Sequence, residues 1–132
     1  MKRAGIIGGS GYTGGELIRL ILQHPVLEID FVLSTTQAGK KITSVHPDLL
    51  GRTDLVFTDT INPEVNVLYL CLGHGKSRDF LMSNSFSKET LIIDLGNDFR
   101  LEESYNFKSK SFIYGLPELQ KEQIKKASAI AN

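Results

Sequence analysis

Ala4-Gly5-Ile6-Ile7-Gly8-Gly9-Ser10-Gly11-Tyr12-Thr13-Gly14-Gly15-Glu16-Leu17-Ile18 is an apolar run that breaks into glycine and resumes with helical spacing, continued by Ile21 and Leu22. It reads as strand, tight turn, helix. Gly9, Gly11 and Gly14 fit the pattern G-x-G-x-x-G, which arises often by chance but here has the flanking strand and helix that give it meaning. In that pattern Gly9 makes the tight turn, Gly11 lets backbone approach a pyrophosphate, and Gly14 lets the helix lie close to the strand. The helix N-terminus, with Ser10, Tyr12 and Thr13 around it, then offers unpaired amides and a partial positive charge to phosphate. Thr13-Gly14-Gly15-Glu16 has the form of a capping box, predicting that Thr13 caps the helix and Glu16 reaches back. His24-Pro25 ends the helix.

Working outward, Glu28 to Ser34 is β-branched and aromatic, a second strand that makes residues 4–34 one βαβ unit. Residues 35–51 are polar, with Gly39, Lys40, Lys41 and Pro47, and read as a long connection; residues 54–58 follow as a short strand. Residues 65–72 are apolar nearly throughout, which suits a strand covered on both faces of a parallel sheet. Gly73-His74-Gly75 breaks it. Ser77 is predicted to cap a helix carrying Phe80 and Leu81, and residues 90–95 form another strand that stops at Gly96. Residues 102–111 read as polar loop, 120–127 as a short helix and 128–131 as the start of one more strand. There is no internal repeat and no low-complexity segment.

This alternation predicts an α/β, Rossmann-like, doubly wound and largely parallel sheet with helices on both faces, residues 1–132 forming a single dinucleotide-binding domain. Ligands of such sheets sit at the carboxyl ends of the strands. Gly9-Ser10-Gly11, Gly73-His74-Gly75 and Gly96-Asn97-Asp98 all fall at those ends.

The 132 residues balance 15 Lys+Arg against 15 Asp+Glu, so there is no net field to attract nucleic acid or an anionic membrane. No apolar run approaches the ~18 residues of a membrane span, and the basic start turns glycine-rich before a signal-length apolar stretch develops. The chain's one cysteine and three scattered histidines have no zinc-site spacing, and a cytoplasmic location follows from this cysteine usage. No metal is expected.

The position about 20 residues beyond the glycines, where NAD sites place a carboxylate for the ribose, holds Ser34, Thr35 and Thr36. Asp30 is too early in the strand. Hydroxyls followed by Lys40 and Lys41 suit a 2′-phosphate, which favours NADP(H) over NAD(H). His74 is equally a turn residue bonded to backbone or a ligand contact. Cys71 shares a strand face with Tyr69 and reads as an inert packing thiol, with nothing adjacent to activate it. Asp94, Asp98 and Arg100 surround a turn and read as a local ion pair or cap before they read as paired-carboxylate catalysis.

Gly9-Ser10-Gly11-Tyr12-Thr13-Gly14-Gly15-Glu16-Leu17, His24-Pro25, Val45-His46-Pro47, Gly73-His74-Gly75, Asp94-Leu95 with Asp98-Phe99-Arg100-Leu101, and Tyr114-Gly115-Leu116-Pro117-Glu118-Leu119 together resemble the N-acetyl-gamma-glutamyl-phosphate reductase family. The resemblance spans the chain in the family's order, and aspartate-semialdehyde dehydrogenase resembles it less. It implies NADPH-dependent reduction of an acyl phosphate to a semialdehyde in arginine biosynthesis, through a thioester on a cysteine, by a homo-oligomeric full-length protein. In the family that cysteine follows an Asn-Pro-Gly-Cys turn, which places it beyond Asn132 together with the substrate domain, so no catalytic residue is expected in this chain. By the same resemblance Gly9 to Gly14 face pyrophosphate, Ser34 to Thr36 the adenosine ribose, and Gly73, His74, Gly75, Leu95 and Gly96 the nicotinamide. Gly73 and Gly96 depart from the family's usual proline and serine. The alternatives are a free-standing NAD(P)-binding sensor or interaction module, or part of a related semialdehyde dehydrogenase.

Overall fold

A computed structural model describes residues 1–101 and 106–132. Strand β1 (Lys2–Ile7) leads through the glycine turn into α1 (Tyr12–Ile21) and back into β2 (Leu27–Leu33). After the long connection come β3 (Val67–Leu70), α2 (Ser77–Ser83) and β4 (Leu91–Asp94). A two-stranded antiparallel hairpin, β5 (Asn106–Phe107) with β6 (Lys110–Ser111), precedes β7 (Ile113–Tyr114), α3 (Pro117–Lys126) and β8 (Ala129–Ala131). The main sheet runs β2-β1-β3-β4-β8-β7, and every neighbouring pair in it is parallel.

Alternation along β1 sends Ile6 to one face and Ile7 to the other, and both are fully buried. Ile6 joins Ala4, Val32 and the α1 residues Ile18 and Ile21; Ile7 joins Leu68, Leu70, Ile92, Phe99 and the α2 residue Leu81. The expected doubly wound arrangement is therefore present, with α1 on one face and α2 on the other. The chain leaves β1 towards β2 and later returns on the other side as β3, so the strand order reverses between β1 and β3. At such a reversal the connections diverge and open a crevice beyond the strand ends.

Several local expectations are corrected. Helix α1 starts two residues before the predicted cap: Gly11, extended at φ −82° and ψ 175°, is its N-cap and supplies no side-chain bond. Thr13 is then already inside the helix, and Glu16 pairs forward with Arg19 instead of reaching back. The helix ends at Ile21, and His24 Nδ1 accepts the amides of Val26 and Leu27, folding the chain into β2. Residues 54–58 form no ladder, only isolated bridges of Val56 to Lys41 and Thr58 to Leu33. Ser77 does not cap α2, whose N-cap is Lys76; its hydroxyl turns inward. Within the predicted polar loop, residues 106–111 are the β5–β6 hairpin with Lys108 at φ 52° in its turn, while 102–105 lie outside the described residues. Pro117, tolerated in a first helical turn, starts α3 earlier than predicted, and the two-residue β7 carried too little pattern to be seen.

Candidate functional site

The glycine turn is built by four residues with different reasons. The positive φ, 79°, belongs to Gly8, one residue before the Gly9 to which the pattern gives the tight turn, because β1 ends at Ile7 and the reversal begins at once. Gly9 is needed for a different reason: a Cβ there would fall 2.0 Å from Val32 Cγ1. A Cβ on Gly14 would meet Gly8 O and Gly9 Cα at 2.7 Å, the expected close approach of helix to strand. At Gly11 a Cβ meets nothing nearer than Gly8 O at 3.9 Å, so the space over this backbone is open and of the kind a phosphate would fill. The amides of Gly8 and Gly9 both donate to Leu33 O at 3.1 Å, tying the turn to β2. The first intrahelical bond is Gly15 N to Gly11 O at 3.0 Å, which leaves the amides of Tyr12, Thr13 and Gly14 at the helix's open end.

Ser10 and the end of β2 meet through hydroxyls. Ser34, buried, donates its Oγ to Ser10 Oγ at 3.1 Å and lies 3.5 Å from Thr36 Oγ1. Together with Gly8, Thr35, Asp59, Leu72, Phe80 and Asn84 they line a cleft of about 500 Å³. Asp30 is turned elsewhere, accepting Asn62 Nδ2 at 2.9 Å with Arg3 at 3.7 Å. The two lysines expected beside a 2′-phosphate are engaged apart from the cleft, Lys41 with Asp54 at 3.2 Å and Lys40 with Gln37 at 3.1 Å. Asp59, Phe80 and Asn84 gave no signal in the sequence, since an edge bridge and the inner side of α2 bring them in from a distance.

Gly73-His74-Gly75 follows β3, and a Cβ on Gly8 would fall 2.6 Å from Cys71 O, so the two turns adjoin. Gly75 has φ 82°, and its amide donates to Asp98 Oδ1 at 2.7 Å, while Arg78 N donates to Asp98 Oδ2 at 3.0 Å. Asp98 thus serves the start of α2 from across the sheet edge, in the role expected of Ser77. His74 is exposed at the tip. One strand further, Leu95 N donates to Leu70 O at 3.0 Å and Gly96 N to Asp94 Oδ1 at 3.0 Å. Asp94 Oδ1 also accepts Ser77 Oγ at 2.6 Å, and its Oδ2 is buried with no partner among the described residues. Burial raises the Asp94 pKa, against the lowering effect of the Ser77 and Gly96 bonds.

The structure therefore brings Gly8 and Ser10 together with Ser34 to Thr36 in one cleft, while Gly11 and Tyr12 line, with Ser10, Val45 and His46, a neighbouring cavity of about 360 Å³; the turns at residues 73–75 and 95–96 follow along the same carboxyl edge. Cys71 packs with Tyr69 towards the α1 side, and its thiol is pushed up to about 12, first by burial and then by the nearby Asp94. A smaller cavity of about 110 Å³ lies away from this edge between α2 and the hairpin. There Lys110 Nζ is spent on Lys88 O at 3.0 Å and Thr90 O at 2.9 Å. Among the described residues no cluster of His, Cys, Asp and Glu could hold a metal, and no helix is long and apolar enough to cross a membrane.

A parallel sheet reversed at β1/β3, with an open glycine turn at the reversal, defines a dinucleotide-binding domain of the Rossmann class. Residues 3–127 match the family model described as semialdehyde dehydrogenase, NAD binding domain, and the chain belongs to that family. Over its whole length it is 58% identical to the N-acetyl-gamma-glutamyl-phosphate reductase of Flavobacterium johnsoniae and 53% identical to that of Christiangramia forsetii. It spans 41% and 40% of those two proteins. Among solved structures, aspartate semialdehyde dehydrogenase with NADP from Candida albicans shares the fold at a TM-score of 0.63 and 20% identity, over 99% of this chain and 42% of that one.

Proposed function

We propose that this chain is the NADP(H)-binding part of a reductase that converts an N-acyl-gamma-glutamyl phosphate to its semialdehyde in the arginine-forming sequence. On this reading Gly9, Ser10, Gly11, Tyr12, Thr13 and Gly14 receive the pyrophosphate, and Ser34, Thr35 and Thr36 receive the ribose and its 2′-phosphate. Gly73, His74, Gly75, Leu95 and Gly96 border the nicotinamide, which when bound supplies hydride. The protein works in the cytoplasm, as part of a homo-oligomer, with substrate contacts made by portions of the relatives that lie beyond the 40% matched here. The observation that carries the reading is the pairing of an open Gly11 backbone with the hydroxyls of Ser10, Ser34 and Thr36 where β2 ends. Asp59, which lines the same cleft next to Thr58 and the end of β2, is an acceptor for adenosine N–H or O–H groups.

Matched thermal titrations with NADPH and NADH test the reading. A ligand that binds only the native state stabilises it by about 2.7 kcal/mol at 100 times its dissociation constant, so the tighter cofactor raises Tm at lower concentration. NADPH is expected to do so. Gly11→Val, which puts a branched side chain into the open space, is expected to abolish the shift with either cofactor while leaving the unliganded Tm within a few degrees. Preference for NADH would overturn the assignment of Ser34 to Thr36.

A further inference from the structure

His46 lies in the connection between β2 and β3, held between two 3-10 turns, Ile42–Ser44 and Pro47–Leu49. Ile42 and Leu49 are fully buried in the core on the α1 side, His46 N donates to Ile42 O at 2.9 Å, and Leu49 N donates to His46 O at 3.1 Å. This fixed backbone delivers the imidazole to the glycine turn. His46 Nε2 lies 2.7 Å from Gly9 O, and since a carbonyl can only accept, Nε2 carries the proton. The ring also lies flush on the start of α1: a Cβ on Gly15 would fall 2.5 Å from His46 Cε1 and Nδ1. On its other side it tilts against Phe57, with ring centroids 6.3 Å apart. Gly15, outside the G-x-G-x-x-G pattern, is thus the residue that makes room for His46.

A trans peptide is planar, so Gly9 C=O and Ser10 N–H point in opposite directions. Drawing the carbonyl towards His46 turns the Ser10 amide away from it, and Ser10 lines both the 500 Å³ cleft and, with Gly11, Tyr12 and His46, a cavity of about 360 Å³. We infer that His46 is a positioning residue for the dinucleotide: its Nε2–H holds the Gly9-Ser10 peptide in the orientation that presents the Ser10 amide to phosphate. The inference rests on the reading of the glycine turn as the pyrophosphate site.

NADPH affinity, measured by nicotinamide fluorescence, and the Ser10 amide resonance in a 15N-labelled chain test it together. His46→Ala is expected to weaken NADPH about tenfold, the scale of one well-placed hydrogen bond, and to move the Ser10 resonance in the free chain. His46→Gln, whose side-chain amide can still donate to Gly9 O, is expected to restore most of the affinity. If His46→Ala does not fold, Gly15→Ala reads the same quantity by displacing the ring, and the same loss is expected. A His46→Ala chain that melts lower yet binds NADPH as well as the wild type would overturn the inference and leave a packing role. A His46→Gln chain no better than His46→Ala would overturn it as well. Gly11→Val separates the two levels: if it abolishes binding while His46→Ala does not, the pyrophosphate reading stands alone. If the wild type binds no NADPH, both fall.

Discussion

Asp94 is fully buried at the end of β4 with one oxygen bonded to Ser77 and Gly96 and the other without a partner among the described residues. Burial dominates its pKa and raises it, so the folded chain holds this proton more tightly than the unfolded chain, in which Asp titrates near ~3.9. Stability then falls as pH rises from that unfolded value through the raised folded one, and is constant beyond it. Urea unfolding across this acidic window is expected to show that falling contribution in the wild type, with Asp94→Asn lacking it, since Asn keeps an acceptor for Ser77 and Gly96 and does not ionise. A wild-type contribution that rose with pH would mean that the two hydrogen bonds outweigh burial. At this scale the sequence was legible in the close approach at Gly14 and in the open space over Gly11. It was illegible at Gly8 and Gly9, because the position of the positive φ and the approach of Val32 depend on where β1 ends and how β2 pairs with it.

Helix α2 has seven residues and no side-chain bond from its own N-cap, so its start depends on Asp98. Asp98→Ala removes acceptors from both Gly75 N and Arg78 N. Loss of a side-chain cap usually costs about 1 kcal/mol and up to about 2, and that range is expected here in urea unfolding. Amide exchange is expected to speed up at Gly75 and Arg78 before it does in β3 or β4, and weaker NADPH binding should accompany it if the turn at residues 73–75 borders the nicotinamide. Unchanged exchange at both amides would show that the turn holds itself. Element identity was largely legible, since β3 and β4 are apolar on both faces and α1 has helical spacing. Caps were misread at Thr13 and Ser77 because a hydroxyl near a helix start is only a local signal. Helix α1 begins where the glycine turn ends, at Gly11, with no side-chain cap, and the carboxylate of Asp98 reaches the start of α2 through tertiary placement. The bridges at Val56 and Thr58 fell short of a strand because each finds a single partner.

For the whole molecule, the reversal of strand order gathers the glycine turn, the β2 hydroxyls and the turn after β3 on one edge, and these were legible because motif and topology point to the same place. A thioester route needs a thiolate at that edge. The chain's one cysteine does not supply it: Cys71 packs with Tyr69 on the α1 side, and burial pushes its thiol up to about 12, which disfavours the thiolate near neutral pH. Even with NADPH held in place, an acyl phosphate meeting it from solution reacts bimolecularly and forgoes roughly 7–11 kcal/mol that orientation can supply. Incubation of this chain with N-acetyl-gamma-glutamyl phosphate and NADPH is therefore expected to show no loss of nicotinamide absorbance above the rate without protein. Iodoacetamide is expected to modify Cys71 only on unfolding, and Cys71→Ser to bind NADPH as the wild type does. Turnover that disappeared in Cys71→Ser would mean that this thiol reaches the cleft as a thiolate in a conformation other than the one described, and would assign it the nucleophile's role.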